Sequence, residues 1–122
     1  MQTEAILAAL VALRVPPGIG EADIHALIAQ GLAAAGIACV HEARLAPRCR
    51  IDFLAGGVGI EVKCGKPARA TLLAQLARYA ACPQVEALIV VVARSAAVPT
   101  VVAGKPCHFV SLNRLWGIAL PG

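Results

Sequence analysis

The chain carries only seven acidic residues in 122, and their placement is uneven. Asp52 and Glu61 lie inside two apolar runs, Arg50-Ile51-Asp52-Phe53-Leu54 and Ile60-Glu61-Val62-Lys63-Cys64. Glu42 lies in the extended stretch just before them. Acids are disfavoured in strands, so acids placed there ask for a reason. The Gly56-Gly57 pair between the runs is a turn signal and folds them into an antiparallel hairpin. By strict alternation, Ile51 and Phe53 point one way, while Arg50, Asp52 and Leu54 point the other. Ile60, Val62 and Cys64 share one face, and Glu61 and Lys63 share the opposite one. With Asp52 and Glu61 on the same face they are cross-strand neighbours. Two carboxylates that close repel unless something positive lies between them. A divalent cation suits that place, because hard cations favour carboxylate and water ligands. Lys63 can neutralise a developing charge or position a water for attack. The plainer alternative is a surface ion pair, since an Asp-x8-Glu-x-Lys pattern taken alone arises by chance in many chains.

The elements that must position these residues follow from periodicity. A first helix runs from Thr3 to about Leu13 and is broken by Pro16-Pro17-Gly18. A second runs from Glu21 to Ala35, with Ile24, Leu27, Ile28 and Leu32 at helical spacing, and Gly36 stops it. Strands are expected over 37–44, 50–55 and 58–64. After the loop Gly65-Lys66-Pro67, a helix covers 70–81 and ends before Pro83. The continuous apolar run 87–93 suits a buried central strand. A strand near 108–111 and a short helix around 112–116 complete the pattern. The helix after the third strand crosses over to a further strand. The fold class is therefore α/β, a mixed sheet with helices on its faces.

Composition narrows the rest. The chain is one domain by length, and 59% hydrophobic residues exclude intrinsic disorder. No apolar run approaches the roughly 20 residues of a membrane span, and no positive segment opens a signal peptide. Only 3% of residues are aromatic, so contact with nucleic acid must lean on charge and backbone rather than on stacking. The net charge of +4 fits a polyanionic partner, and equally fits arginines that keep an alanine-rich surface soluble. Five cysteines, an odd number with no CxxC spacing, read as small core residues in a reducing cytosol. No GxSxG segment points to a serine hydrolase, and no GxxxxGK[ST] segment to a P-loop NTPase.

Together, Arg50-Ile51-Asp52 … Gly59-Ile60-Glu61-Val62-Lys63 resembles the PD-(D/E)xK nuclease superfamily, which includes restriction endonucleases, Holliday junction resolvases and RecB-type exonucleases. Gln75 and Tyr79, four apart on one helix face, look like the QxxxY motif of the RecB-like branch. The resemblance spans residues 20–93, and the element order is similar to the family's αβββαβ core, a restriction-endonuclease-like fold. The family's proline before the first acid is replaced by Ile51. The resemblance implies that Asp52 and Glu61 bind Mg²⁺ or Mn²⁺, with the Val62 carbonyl as a further ligand. It implies that Lys63 orients and activates water, and that either Glu21 or Glu42 completes the site. Gln75 and Tyr79 would support it or touch the DNA backbone. The metal would polarise the scissile phosphate and lower the pKa of its bound water.

Arg44, Arg48, Arg50, Lys66 and Arg69 flank the hairpin as expected phosphate contacts, which position without reading sequence. His25, one turn after Glu21, reads as a helix-surface residue. The expected activity is metal-dependent hydrolysis of phosphodiesters, most naturally in DNA, by a cytoplasmic homodimer. The competing expectations are a non-catalytic binding or assembly module of the same fold, and an interaction protein whose acids are surface pairs. Asp52 and Glu61 on opposite faces would favour the last.

Overall fold

The computed structural model describes residues 2–16, 18–66, 68–92 and 98–112. Three helices and six strands follow in the order α1 (Gln2–Val11), α2 (Glu21–Ala34), β1 (Val40–Ala46), β2 (Cys49–Ala55), β3 (Val58–Lys63), α3 (Arg69–Ala80), β4 (Ala87–Val92), β5 (Val101–Val102) and β6 (Lys105–Ser111). The strands form one mixed sheet in the order β1-β2-β3-β4-β6-β5. The β1–β2, β2–β3 and β5–β6 pairs are antiparallel, and β3–β4 and β4–β6 are parallel. The parallel β3–β4 pair needs a crossover, and α3 supplies it.

The fold is α/β, as expected. Element boundaries lie within a few residues of the periodicity reading. β1 begins three residues later than expected and β6 three residues earlier, and the two-residue β5 is an addition to the expected elements. The helix expected around 112–116 lies outside the described residues apart from Leu112, as do Ala93 and Trp116. Phe109 is exposed on β6.

Two hydrophobic layers clasp the sheet. On one face Ile6 and Leu10 of α1 and Ile24, Ile28 and Leu32 of α2 pack on Phe53, Ile60, Val62, Ile89 and Val91. On the other, Leu72, Leu76 and Tyr79 of α3 pack on Ile51, Leu88, Val90 and Val92. Alternate β4 residues go to opposite layers, so the whole strand is buried. That explains its unbroken β-branched run.

The hairpin departs from the alternation read in the sequence. Ile51 belongs to the α3 layer and Phe53 to the α1–α2 layer, so these two residues do not share a face. The phase slips by one at Asp52. The neighbouring strand slips at the same level: Cys39 packs in the α1–α2 layer and Ala43 in the α3 layer. His41 pairs with Phe53 and Ala43 with Ile51, so Glu42 lies opposite Asp52. Glu42 takes φ 52°, a left-handed conformation disfavoured for a residue with a side chain by about 1–2 kcal/mol. Both strands thus kink together beside the two acids. In β3 the alternation holds: Ile60, Val62 and Cys64 face α1 and α2.

Leu76 is fully buried on the α3 face of the sheet. Leu76→Ala is expected to destabilise the fold by about 2–5 kcal/mol. In urea denaturation this appears as a lower midpoint with an unchanged slope.

Candidate functional site

β2 and β3 pair regularly only at Phe53–Ile60, Leu54–Gly59 and Ala55–Val58. Past that point side chains replace the ladder. The Val62 backbone N–H donates to Asp52 Oδ2 at 2.7 Å, and the Asp52 N–H donates to Glu61 Oε1 at 3.3 Å. Each strand's acid therefore caps the other strand's backbone. The two carboxylates meet as neighbours, although the kink and not simple alternation brings Asp52 there.

Among the described residues Glu61 is the one buried charged side chain, 4% exposed. Burying a charge is costly unless it is paired and hydrogen-bonded. Lys63 Nζ lies 3.0 Å from Glu61 Oε2. The Tyr79 hydroxyl lies 3.1 Å from both Glu61 Oε1 and the Arg50 carbonyl, and accepts from Gln75 Nε2 at 2.9 Å. Burial, and then the charge of Asp52, push the Glu61 carboxyl above the usual carboxylate range, against the opposing pull of Lys63. Burial and the Glu61 charge likewise push the Tyr79 hydroxyl up, so it stays a donor.

On the other side of Asp52 sits a histidine pair. His25 Nε2 is 3.6 Å from Asp52 Oδ2, and His25 Nδ1 shares a 2.9 Å hydrogen bond with His41 Nε2. His41 stacks on Phe53 at 4.8 Å between ring centres, and His25 tilts against the same ring at 5.4 Å. The His25 side chain is 11% exposed, and its Nε2 is buried without a hydrogen-bond partner. The surface reading of His25 is thus corrected. A signal was available, because His25 stands three before Ile28 and seven before Leu32, on the buried stripe of α2.

Other expected residues are less central. Glu21 opens α2, is exposed, and hydrogen-bonds the Cys64 thiol; burial and that carboxylate push the thiol up. Its cleft with Lys63, Lys66 and Gln75 is about 310 Å³. Glu42 points toward solvent and pairs with Arg50 at 3.4 Å. Arg69 stands in the first turn of α3. Arg44, Arg48 and Arg50 line a separate cleft with Gln75 and Tyr79, and Arg78, which the sequence reading passed over, lines it too.

The donor set suits a hard cation. Two carboxylates are neighbours, one is pushed toward its neutral form by burial and then by the charge of the other, and a buried imidazole nitrogen beside Asp52 has no hydrogen-bond partner. Among the described residues no three His, Cys, Asp or Glu groups already surround one point. An ion here would be held by two carboxylates, main chain and water, as Mg²⁺ commonly is. Comparison with family models, with curated proteins and with solved structures returns no match, so this geometry is the basis on which the site is read.

Two measurements test it. A group whose folded pKa is raised stabilises the fold below its unfolded pKa, and that contribution is lost as pH rises through the folded value. Wild-type stability should therefore fall as pH rises above the ordinary carboxylate range, more steeply than that of Glu61→Gln, read by urea denaturation at each pH. Tyr79→Phe leaves Glu61 Oε1 and the Gln75 amide short of a partner and should destabilise by about 1–3 kcal/mol.

Proposed function

We propose that this protein is a metal-dependent nuclease, of the restriction-endonuclease-like kind that its motifs resemble, hydrolysing phosphodiester bonds with DNA as the preferred substrate. The observation that carries the proposal is the pairing of Asp52 with a buried, Lys63-bridged Glu61 at the splayed end of the hairpin. A surface ion pair would not be buried, and it would not substitute for the strand ladder. The order of elements around the site, a helix, three antiparallel strands, a crossover helix and a parallel strand, supports the same reading.

In this reading Asp52 and Glu61, with the Val62 carbonyl, hold Mg²⁺ or Mn²⁺. The ion, when bound, polarises the scissile phosphate and lowers the pKa of a bound water. The chain's own groups do the rest. The Val62 N–H fixes Asp52 Oδ2, and Tyr79 and Gln75 fix Glu61, so the acceptors are set before any ligand arrives. Lys63 donates from its ammonium to charge that develops on the phosphate and orients the attacking water. Water oxygen bonds to phosphorus as the P–O3′ bond breaks, leaving a 5′-phosphate and a 3′-hydroxyl. His25 offers its unpartnered Nε2 on the far side of Asp52, as a further ligand or as a hydrogen-bond partner that orients that carboxylate. Glu21 stands at the mouth, close to Lys63 and Cys64, where it suits a metal-bound water better than the ion itself. Among the described residues no helix is long and apolar enough to cross a membrane, which is compatible with this role.

The test is a cleavage assay with Mg²⁺ or Mn²⁺ on single-stranded, duplex, flapped and four-way DNA and on RNA. Cutting should require the metal, and Lys63→Ala should lower the rate by about 10²-fold or more. In a companion thermal melt, Mn²⁺ should stabilise wild type by about 2.7 kcal/mol at a hundred times its Kd. Asp52→Asn should abolish that gain, and His25→Ala should reduce it. Retention of DNA without cutting would instead mark a binding module.

A further inference from the structure

His25 of α2 and His41 of β1 lie 16 positions apart in the chain and meet through a hydrogen bond. His41 is the register partner of Phe53, which is fully buried, and stacks on its ring at 4.8 Å. The two imidazoles meet edge to face, with 76° between their planes. Phe53 thus sets the angle of His41, and the 2.9 Å bond between His25 Nδ1 and His41 Nε2 ties the rings together. That bond contains one hydrogen, which either nitrogen can own.

The surroundings decide between them. If His41 owns the shared hydrogen, a neutral His25 carries its own on Nε2. That hydrogen has no acceptor. Nε2 is buried without a partner, and Asp52 Oδ2 lies 3.6 Å away, too far for a hydrogen bond. Asp52 Oδ2 does not need it either, since the Val62 N–H already donates there at 2.7 Å. If His25 owns the shared hydrogen, on Nδ1, then Nε2 carries a lone pair beside the carboxylate. That lone pair opposes the bare carboxylate and is satisfied once Asp52 shares a cation with it. His41 is exposed, so water can serve its second nitrogen.

We propose that His41 is a positioning residue for the cation: its Nε2 accepts the His25 Nδ1–H and so keeps His25 Nε2 bare and turned toward Asp52. The proposal rests on the metal-dependent nuclease reading. It adds a residue outside the motif that carries that reading, and it selects the ligand role for His25 over that of a donor to the carboxylate. The group that holds the second nitrogen of a ligating imidazole fixes the ring and raises its basicity. Its loss commonly lowers metal affinity by about 10- to 100-fold.

Calorimetric titration with Mn²⁺ tests this at one fixed pH, with no nucleic acid present. Wild type should bind the ion, and Asp52→Asn should lose that binding. His41→Phe keeps a ring on Phe53 and removes the acceptor, so it should loosen Mn²⁺ by about tenfold or more. His41→Gln offers an amide oxygen in place of Nε2 and should recover most of the affinity. In a His25→Ala background, His41→Phe should cost nothing further, because His41 acts through His25. His108→Phe, on β6 beyond β4, should bind as wild type does. NMR of histidine-labelled protein loaded with Zn²⁺, a diamagnetic probe, should show the His25 hydrogen on Nδ1. Circular dichroism of each variant checks the fold. Equal losses in His41→Phe and His41→Gln would reduce His41 to a packing role and overturn the proposal. So would wild-type affinity in His41→Phe, a loss that persists without His25, an equal loss in His108→Phe, or a His25 hydrogen found on Nε2. Any of these beside Asp52-dependent Mn²⁺ binding would sink the role of His41 alone. No Mn²⁺ binding by wild type, or binding that survives Asp52→Asn, would sink the metal reading with it.

Discussion

A single hydrogen bond organises the centre of this molecule. The Val62 N–H needs an acceptor, and past Phe53 the backbone of β2 no longer provides one. Asp52 supplies it through a carboxylate oxygen at 2.7 Å. Because a side chain stands in for a carbonyl, the two strands can part without leaving a buried donor unsatisfied. Into the opening come Glu61 from the α3 side and His25 from the α2 side. Every group assigned to the site depends on that parting. A regular ladder would have kept Ile51 and Phe53 on one face and left no room between the layers.

The polar network built on this opening is closed on one side and open on the other. Toward α3, Glu61 is held by Lys63, Tyr79 and the Asp52 N–H, and Tyr79 is held in turn by Gln75 and placed by the apolar turns around Leu72 and Leu76. Toward α2, His25 is gripped by His41 and Phe53, yet its inward nitrogen has no partner. A buried polar atom without a partner is disfavoured. The asymmetry sets a rigid, fully bonded wall against a face with capacity to spare.

Much of this was legible in the sequence. The α/β class followed from helical periodicity at 21–35 and 70–81 around extended runs. The acids Asp52 and Glu61 stood out because strands resist them. Two features were not legible. Alternation has no way to register a one-residue slip at Asp52, since nothing in Arg50-Ile51-Asp52-Phe53 announces a kink that depends on Glu42 across the ladder. His25 and Arg78 each lay on a readable helix face, beside Ile28 and Gln75 respectively. Their surroundings come from groups distant in sequence, His41 and Phe53 for one and the β1–β2 turn for the other. Local spacing can place a side chain on a face, but it cannot say what the opposite surface will be.

β1 is also the free edge of the sheet. A chain that is 59% hydrophobic runs a risk there, because an unpaired strand invites another chain to add to it. Val40 is 59% exposed on that edge and makes the risk concrete. The left-handed turn of the backbone at Glu42 bends the edge out of the flat geometry that a docking strand needs. Arg44 then places charge on the remaining stretch, and Pro47 removes a donor at its end. The features that shape the neighbourhood of the acids thus also guard the sheet against edge-to-edge aggregation. Flattening this strand to regular geometry would be felt first in the test tube, as a loss of solubility.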